Sequence, residues 1–443
     1  MAQDRAVGLD FGTSNCVLGL AEDGAAPSAV RFRSGTNFPS ILCFYQDCDD
    51  KGRDIVVGTA GQKAIETYLK LGSDCRLIQS IKSYVANPTF SETNIHGRRY
   101  AIEDLVATML NDIRAEAEAT EGPLGERVVS GRPVAFAGER SDEALGLTRL
   151  ENAYRQAGFR TVAFETEPLA AAYYHVRALE HNEVCLVADL GGGTSDFSLV
   201  RFHPDRDRPW TEHLAHAGIG IAGNQLDFRI IEHVVAPRLG RETTYRSGSK
   251  DLPVPAHIYT SFQRWNELSM LKAGRTLRDL EEIRHTAADP AAIDCLIHVI
   301  EQERGYDLYQ AVGQTKAALS SADAAPFRFD AGPLHIDETV TRDDFEAWIA
   351  EDVARIVEVM KDMLSTSNFR AADVGKVFMT GGTSFVPRIR QAFADVFGEE
   401  RLGTGDEFVS VATGLALIAR ERGAGAGRPA PMPPRPGGTA GPL

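Results

Sequence analysis

The sequence predicts an α/β protein of two related lobes, each a mixed sheet flanked by helices, with a cleft between them. Two observations support this fold class. Residues 7–15 and 187–196 each read as a strand, a Gly-containing turn that starts at Asp10 or Asp189, and a second strand. Strand-like and helix-like hydrophobic patterns then alternate along the rest of the chain. With 443 residues and 43% hydrophobic content, the chain can build two domains with separate cores.

The charge and the cysteine pattern exclude several classes of protein. The net charge is −15 and no basic run is present, so nucleic acid is not expected as a partner. The N-terminus lacks a basic segment followed by an apolar one, and no run of about 18 apolar residues suits a membrane span. A cytoplasmic protein is therefore expected. The cysteines are scattered without a CxxC pair, so neither a disulfide framework nor a zinc site is predicted. They are Cys16, Cys43, Cys48, Cys75, Cys185 and Cys295.

The first lobe is predicted over residues 1–177, joined by residues 404–422. Residues 1–37 suggest strands and turns, whereas residues 38–103 look irregular and are predicted to form an inserted subdomain. The elements that follow are a helix over 104–119, a strand over 127–129, a helix from an N-cap at Ser141 to about Ala157, a strand over 160–164 and a short helix beginning near Pro168.

The second lobe is predicted over residues 178–403. It opens with the hairpin over 184–196, and residues 219–340 are expected to form a helical insertion. Its further elements are helices over 226–235, 257–272 and 307–319, a helix from an N-cap at Thr341 to about Leu364, and a strand over 376–379. Residues 410–420 predict a small-residue helix, and the Pro/Gly-rich residues 423–443 predict a disordered tail.

The two hairpins predict a phosphate-binding cleft. Gly residues in a tight turn can direct successive backbone N–H groups into one concavity that binds phosphate oxygens. An Asp at such a turn fits if a hydrated Mg²⁺ ion lies between the carboxylate and the phosphate, which assigns this role to Asp10 and Asp189. The alternative is two unrelated Asx-Gly turns, which are common in hairpins. The other turn residues with a predicted contact are Gly12, Thr13, Ser14, Asn15, Gly191, Gly192, Gly193 and Thr194.

Further segments extend the match in order along the chain. They are residues 77–82, which end in Lys82; residues 128–136, which contain Pro133; residues 165–172, which contain Glu167; and Gly381-Gly382-Thr383-Ser384 with Pro387. Together with the two hairpins, they resemble the nucleotide-binding domain of the 70-kDa heat-shock (DnaK-type) chaperones, within the actin-like ATPase superfamily. The resemblance covers residues 5–420 and implies lobes built on ribonuclease-H-like sheets, with ATP or ADP and Mg²⁺ in the cleft.

The resemblance also implies roles for individual residues. Asp10 and Asp189 would hold the Mg²⁺ water shell, and Lys82 would lie beside the γ-phosphate. Glu167 and Asp196 would orient the attacking water or accept its proton, while Thr13 and Thr194 would contact the γ-phosphate region. Taken alone, Lys82 could equally be a solvated surface lysine, and Glu167 a helix-capping residue.

The adenosine side departs from the family pattern. Gly223, Lys316, Ser320, Gly381, Gly382 and Thr383 match positions near the nucleoside or the loops around it. The family's adenine-stacking arginine is replaced by Phe385, which could stack on the base or belong to the core. Two other contact positions hold Gly313 and Ala317. The resemblance therefore implies weaker or altered nucleotide binding.

Three functional hypotheses remain open on the sequence alone. The family's apolar linker and peptide-binding domain are not seen after residue 423, which suggests the short, YegD-like branch. The first hypothesis is a slow Mg-dependent ATPase module that acts on an unidentified protein partner. The second is an actin-like, filament-forming ATPase. The third is a nucleotide-binding pseudo-ATPase that regulates a protein partner.

Overall fold

The computed structural model describes residues 5–133, 136, 141–173, 179–204, 210–263, 268, 271–272, 275–403 and 410–424. The strands are β1 (Ala6–Phe11), β2 (Asn15–Ala21), β3 (Ser28–Ala29), β4 (Phe38–Pro39), β5 (Ile41–Cys48), β6 (Asp54–Ala60), β7 (Cys75–Gln79), β8 (Glu92–Ile95), β9 (Arg98–Ala101), β10 (Arg127–Arg132), β11 (Thr161–Thr166), β12 (Glu183–Leu190), β13 (Ser195–His203), β14 (Trp210–Ile219), β15 (Thr244–Ser247), β16 (Lys250–Pro253), β17 (Ala324–Ala331), β18 (Leu334–Thr341) and β19 (Lys376–Thr380).

The α-helices are α1 (Gly61–Leu71), α2 (Ile102–Glu121), α3 (Glu143–Gln156), α4 (Glu167–Ala171), α5 (Gly223–Ile230), α6 (Ala256–Thr260), α7 (Thr276–Thr286), α8 (Pro290–Glu301), α9 (Gly305–Leu319), α10 (Arg342–Thr366), α11 (Pro387–Phe397) and α12 (Ser410–Ala424). Short 3₁₀ turns cover Gly72–Asp74, Ile81–Tyr84, Ala236–Leu239, Ser261–Gln263, Ala371–Asp373, Gly382–Phe385 and Glu399–Arg401, and a π-helical turn covers Ile231–Val235. Within the described ranges, no helix combines the length and the apolar character that crossing a bilayer requires.

Two mixed sheets share one plan. In the first, the order is β11-β10-β1-β2-β3, where β1 and β2 form an antiparallel hairpin and β1 pairs in parallel with β10. In the second, the order is β14-β13-β12-β19, where β12 and β13 form the hairpin and β12 pairs in parallel with β19. The repeated hairpin predicted from the sequence is therefore confirmed, and each copy lies at the centre of its own sheet.

The C-terminal helix α12 packs closely on the first sheet. A Cβ atom added to Gly8 or Gly19 would lie 2.4 or 2.3 Å from the carbonyl oxygen of Ala412. A Cβ on Gly414 would lie 2.0 Å from the carbonyl oxygen of Ala170. Only glycine permits backbones to approach this closely. The end of the described chain thus returns to the sheet formed by its beginning. The predicted lobe boundaries stay a prediction. Most of the predicted tail, residues 423–443, lies outside the described residues.

Residues 38–103 are ordered into regular elements, so the prediction of an irregular segment was wrong. They contain the sheet β6-β5-β7, helix α1 and the hairpin β8–β9. Gly52 lies in the tight turn between β5 and β6 with a φ of 71°, and Gly72 ends α1 with a φ of 55°. The Gly residues mark the ends of short elements rather than a loop, which local composition does not distinguish.

The insertion at 219–340 also differs from its prediction, because it holds two β-hairpins, β15–β16 and β17–β18, among its helices. The helix expected over 257–272 is seen as α6 and a 3₁₀ turn, and several of its later residues lie outside the described ranges. The N-cap of α3 is Asp142 rather than Ser141, since its carboxylate accepts from Leu145 N at 3.0 Å. The predicted cap at Thr341 is confirmed, with Asp344 N donating to its hydroxyl at 3.1 Å.

Candidate functional site

The two hairpin turns face each other across one cleft of about 330 Å³. A Cβ atom added to Gly192 would lie 2.9 Å from the Ser14 hydroxyl, so the two turns approach within contact distance. Most residues predicted for the phosphate side line this cleft. They are Asp10, Gly12, Thr13, Ser14, Asn15, Lys82, Glu167, Asp189, Gly191, Gly192, Gly193, Thr194 and Asp196. Gly381 and Gly382, which were predicted for the nucleoside side, line the cleft as well.

The turns present backbone donors to the cleft. In the part of the chain that the structure describes, the N–H groups of Thr13, Ser14, Gly192 and Gly193 take part in no hydrogen bond with the protein. The turn carbonyls, by contrast, are held: Gly12 O accepts from the Ser40 hydroxyl at 2.8 Å. Free N–H groups in a glycine-rich concavity are the donors that phosphate oxygens require.

One lysine lies among several carboxylates in the cleft. Lys82 Nζ donates to Glu167 Oε1 at 2.8 Å, and the two side chains are only 12% and 18% exposed. The alternative of a solvated surface lysine is therefore wrong. Glu167 lies in the first turn of α4, and its carboxylate bonds to Lys82 rather than capping the helix. The N-cap position belongs to Thr166, whose side chain makes no cap either. Burial lowers the pKa of Lys82, but Glu167 and Asp10 outweigh burial and raise it overall, so this lysine stays charged.

The carboxylates next to Lys82 hold protons unusually tightly. Burial, together with the charges of Glu167 and Asp189, raises the pKa of Asp10 to about 7. Burial, with Glu167 and Asp196, raises the pKa of Asp189 to about 6, although Asp189 faces the water of the cleft and is partly screened. Burial also raises the pKa of Asp196, against a 2.7 Å hydrogen bond from the Thr194 hydroxyl. Crowded carboxylates of this kind are stabilised by a bound cation.

The donor set fits a hydrated divalent cation better than a directly ligated one. Among the described residues, no group of three or more His, Cys, Asp or Glu side chains is placed to hold a metal ion directly. Mg²⁺ gives up its water reluctantly and is often bound through a few carboxylates and the phosphates of a substrate. Asp10 and Asp189, one from each turn, could hold such an ion through its water molecules.

Of the residues predicted for the nucleoside side, Gly381 and Gly382 line the cleft, whereas Gly223, Lys316, Ser320, Thr383 and Phe385 do not. The Thr383 hydroxyl is buried and donates to Gly191 O at 2.8 Å, which ties the second turn to the loop after β19. Lys316 Nζ forms a 2.7 Å ion pair with Asp227 and lies 3.4 Å from Gly223 O. Ser320 ends α9, and its hydroxyl donates to Lys316 O at 3.3 Å.

Phe385 occupies the position where the resemblance implies an adenine-stacking arginine. The residue is 41% exposed at the end of the 3₁₀ turn Gly382–Phe385, so the alternative of a core residue is wrong. It does not line the described cleft. The structure therefore brings the phosphate-side residues together in the cleft, whereas Phe385 and several other nucleoside-side residues do not line it.

Sequence reasoning missed several residues of the cleft wall, among them Asn37, Ser83, Thr380 and His216. The Thr380 hydroxyl donates to Asp189 Oδ1 at 3.3 Å. Its position as the last residue of β19, directly before Gly381, is a signal that could have identified it. His216 comes from β14, and its charge lowers the pKa of Asp196 against the effect of burial. Its location depends on strand order, which the sequence did not reveal.

A second cavity of about 590 Å³ continues from the mouth of the cleft and shares Asn15 and Asn37 with it. Residues from both sides line it, including Glu66 of α1 and Tyr306 and Gln310 of α9. The cleft is therefore open at this end, between helix α1 of the first lobe and helix α9 of the second.

A comparison with protein families agrees with this geometry. The family described as "Hsp70 protein" matches residues 6–243 and 293–422, which together make up well over half of the chain. The matched stretches contain both hairpins, the Lys82–Glu167 pair and the loop at Gly381. The paired mixed sheets and the cleft between them are those of the actin-like ATPase fold. The chain belongs to the Hsp70 family, whose members are ATP-binding chaperones.

Proposed function

We propose that this chain binds Mg-ATP in the cleft, hydrolyses it slowly to ADP and phosphate, and uses the cycle as an Hsp70-type chaperone module acting on a protein partner. The observation that carries the proposal is the approach of two glycine-containing turns with free N–H groups in one cleft that the Lys82–Glu167 ion pair also lines. Family membership supports ATP binding and hydrolysis in general. The short-branch assignment and the cytoplasmic location stay predictions.

The proposed chemistry is phosphoryl transfer to water, in which the protein mainly positions groups and neutralises charge. The turn N–H groups of Thr13, Ser14, Gly192 and Gly193 bind phosphate oxygens. A bound Mg²⁺ ion would neutralise phosphate charge, held through water by Asp10 and Asp189. Lys82 stabilises the charge that develops on the transferred phosphoryl group.

Glu167 is the proposed group that orients the attacking water and accepts its proton. Its hydrogen bond with Lys82 fixes the carboxylate in the cleft, and the second oxygen remains to face the water. Asp196 is a second acceptor, positioned by the hydroxyl of Thr194. Both assignments follow the family resemblance and rest on the placement of these side chains in the cleft wall.

The test is ATP binding and single-turnover hydrolysis by the wild type and by Lys82→Ala. Loss of this charge should slow hydrolysis by at least about 100-fold, the usual cost of losing one transition-state donor. The binding of Mg-ATP should fall much less, because the turn N–H groups remain. Lys70→Ala is the matched control, since Lys70 lies exposed in the last turn of α1. Failure of the wild type to bind millimolar Mg-ATP would overturn the proposal.

One observation favours a second candidate, a pseudo-ATPase that binds nucleotide and regulates a partner. Lys316 is engaged by Asp227, and Phe385 stands apart from the cleft, so the nucleoside side is less developed than the phosphate side. A wild type that binds ATP but hydrolyses it no faster than Lys82→Ala would establish this candidate. No contact in the described residues specifically favours the filament-forming alternative.

A further inference from the structure

Two cysteines that are far apart in the sequence meet in the inserted sheet of the first lobe. Cys43 lies in β5 and Cys75 is the first residue of β7. The antiparallel register pairs Cys43 with Leu77 and Tyr45 with Cys75, so the cysteines are diagonal neighbours on one face. They belong to one apolar cluster with Ala64 and Tyr68 of α1, and both are free thiols.

The two thiols differ in access and in acidity. Cys43 is fully buried, whereas Cys75 is partly exposed. A hydrogen bond from Cys43 lowers the pKa of Cys75, against burial and the charges of Glu303 and Asp74. The same hydrogen bond, with burial, raises the pKa of Cys43. A partly exposed cysteine of lowered pKa beside a second thiol is the arrangement found in oxidation-sensitive pairs.

We propose that Cys43 and Cys75 form a peroxide-sensitive dithiol that closes reversibly to a disulfide. The Cys75 thiolate attacks one oxygen of hydrogen peroxide, the O–O bond breaks, and the products are a Cys75 sulfenic acid and hydroxide. The Cys43 sulfur then attacks the Cys75 sulfur, forming the S–S bond. The Cys75 S–O bond breaks, and its oxygen leaves as water with the Cys43 proton. The two thiols are oxidised by two electrons, and the peroxide is reduced.

Access and geometry support this order of events. Cys75 is the cysteine that a peroxide can reach, and Cys43 lies behind it in the same cluster. Diagonal neighbours on paired strands stand about 7–8 Å apart, slightly beyond the usual Cα separation in a disulfide. Closure therefore requires a small movement of the start of β7. A bond formed in this way should be easily reduced by a dithiol reagent.

That movement would reach the cleft by two routes. The Cys75 thiol now donates to Gly72 O at 3.2 Å. A Cβ added to Gly72 would lie 3.2 Å from the carboxylate of Glu303 in the second lobe, so this turn contacts the opposite side of the mouth. At its other end, β7 leads directly to the turn that carries Lys82. We therefore expect the disulfide to slow ATP hydrolysis, a consequence that rests on the proposed function.

The experiment treats the full chain with hydrogen peroxide and maps its cysteines by peptide mass spectrometry. The expected result is a Cys43–Cys75 disulfide that dithiothreitol reverses. In Cys43→Ala, dimedone should label a sulfenic acid at Cys75, and Cys75→Ser should give neither product. Cys48→Ser is the control, since Cys48 is exposed but lies outside this pair.

Oxidation of Cys48 while Cys43 and Cys75 stay reduced would overturn the proposal, as would a disulfide between any other pair. The wild-type peptide map decides the matter even if Cys43→Ala fails to fold. ATP turnover is measured on the same oxidised and reduced samples. We expect the oxidised sample to lose about threefold to tenfold in turnover, because the Lys82 segment is displaced. An inactive reduced protein that still forms the disulfide would contradict the proposed function and leave the thiol pair standing.

Discussion

The carboxylates of Asp10 and Asp189 concentrate negative charge in the cleft, which is unfavourable for the folded protein. Each lies at the end of a buried strand beside other carboxylates, with Lys82 as the nearest cation. Their raised pKa values mean that, without a bound cation, the folded protein holds these protons more tightly than the unfolded chain does. A bound cation would reverse this preference, because it favours the ionised form. The crowding of carboxylates around Asp10 and Asp189 therefore favours the binding of a cation.

The pH dependence of unfolding tests this account at Asp10. Its pKa rises from 3.8 to about 7 on folding, so the folded state binds the proton more tightly. Its contribution to stability is therefore full below about pH 4 and is lost as the pH rises through about 7. Asp10→Asn should be more stable than the wild type at about pH 8, by on the order of 1 kcal/mol, and nearly equal at about pH 4.

Thermal melts across this pH range, without divalent cations, provide the measurement. Asp23→Asn serves as the control, because Asp23 lies exposed in the turn after β2. A constant difference between Asp10→Asn and the wild type at every pH would show that Asp10 carries no such penalty. With Mg-ATP present, we expect the order to reverse, since the amide offers no charge to the hydrated ion.

Three segments of the second lobe are joined by hydrogen bonds at one carbonyl oxygen, that of Gly191. Gly191 O accepts from Gly223 N at 3.2 Å and from the Thr383 hydroxyl at 2.8 Å. It thereby joins the phosphate turn, the start of α5 and the loop after β19. Gly223 also lies next to Lys316 on α9, so one small residue connects the phosphate side with the nucleoside side.

Alanine at this junction tests the connection. A Cβ on Gly223 would lie 2.9 Å from the Thr383 hydroxyl and 3.4 Å from Lys316 Nζ, so Gly223→Ala must displace at least one of them. We expect the affinity for Mg-ATP to fall about tenfold, which corresponds to about 1.4 kcal/mol. Gly220→Ala is the matched control, because a Cβ there meets nothing within 4 Å. Equal nucleotide affinities for the two variants, measured by titration calorimetry, would contradict this role.

At the scale of the whole molecule, one ligand in the cleft would contact two lobes that have separate hydrophobic cores. Lobe cores form around β1 and around β12, and the cleft lies between them. The first lobe is closed by α12, which packs on β1 and β2 through Gly8 and Gly19. A nucleotide that contacts both turns should therefore favour the closed arrangement of the lobes.

Thermal stability reports this coupling. Mg-ATP at 100 times its Kd should stabilise the wild type by about 2.7 kcal/mol if it binds only the folded protein. We expect Thr13→Ala and Thr194→Ala each to reduce the upward shift in Tm, because these residues stand on opposite turns. A variant on one side that leaves the shift unchanged would show that ATP contacts a single lobe. Mg²⁺ without nucleotide is the control.

Much of the phosphate side could be predicted from the sequence. The hairpin motifs are local: a strand, a Gly turn and a strand are encoded in neighbouring residues, and the turn N–H groups follow from that geometry. Segment resemblance also placed Lys82 and Glu167 in one site, and they form an ion pair. Element ends were less accurate, as the cap at Asp142 shows, because Ser141 and Asp142 are both good N-cap residues.

The sequence by itself therefore determined the fold class and the repeated hairpin, because each hairpin is encoded in neighbouring residues. The resemblance of ordered segments added the acidic phosphate side of the cleft. Only the tertiary structure decided which other distant residues meet. It placed His216 in the cleft wall and left Phe385 at its edge. It also brought Cys43 against Cys75, although their spacing predicted no pair. Strand order and register set these contacts, and both arise from long-range packing that no local pattern records.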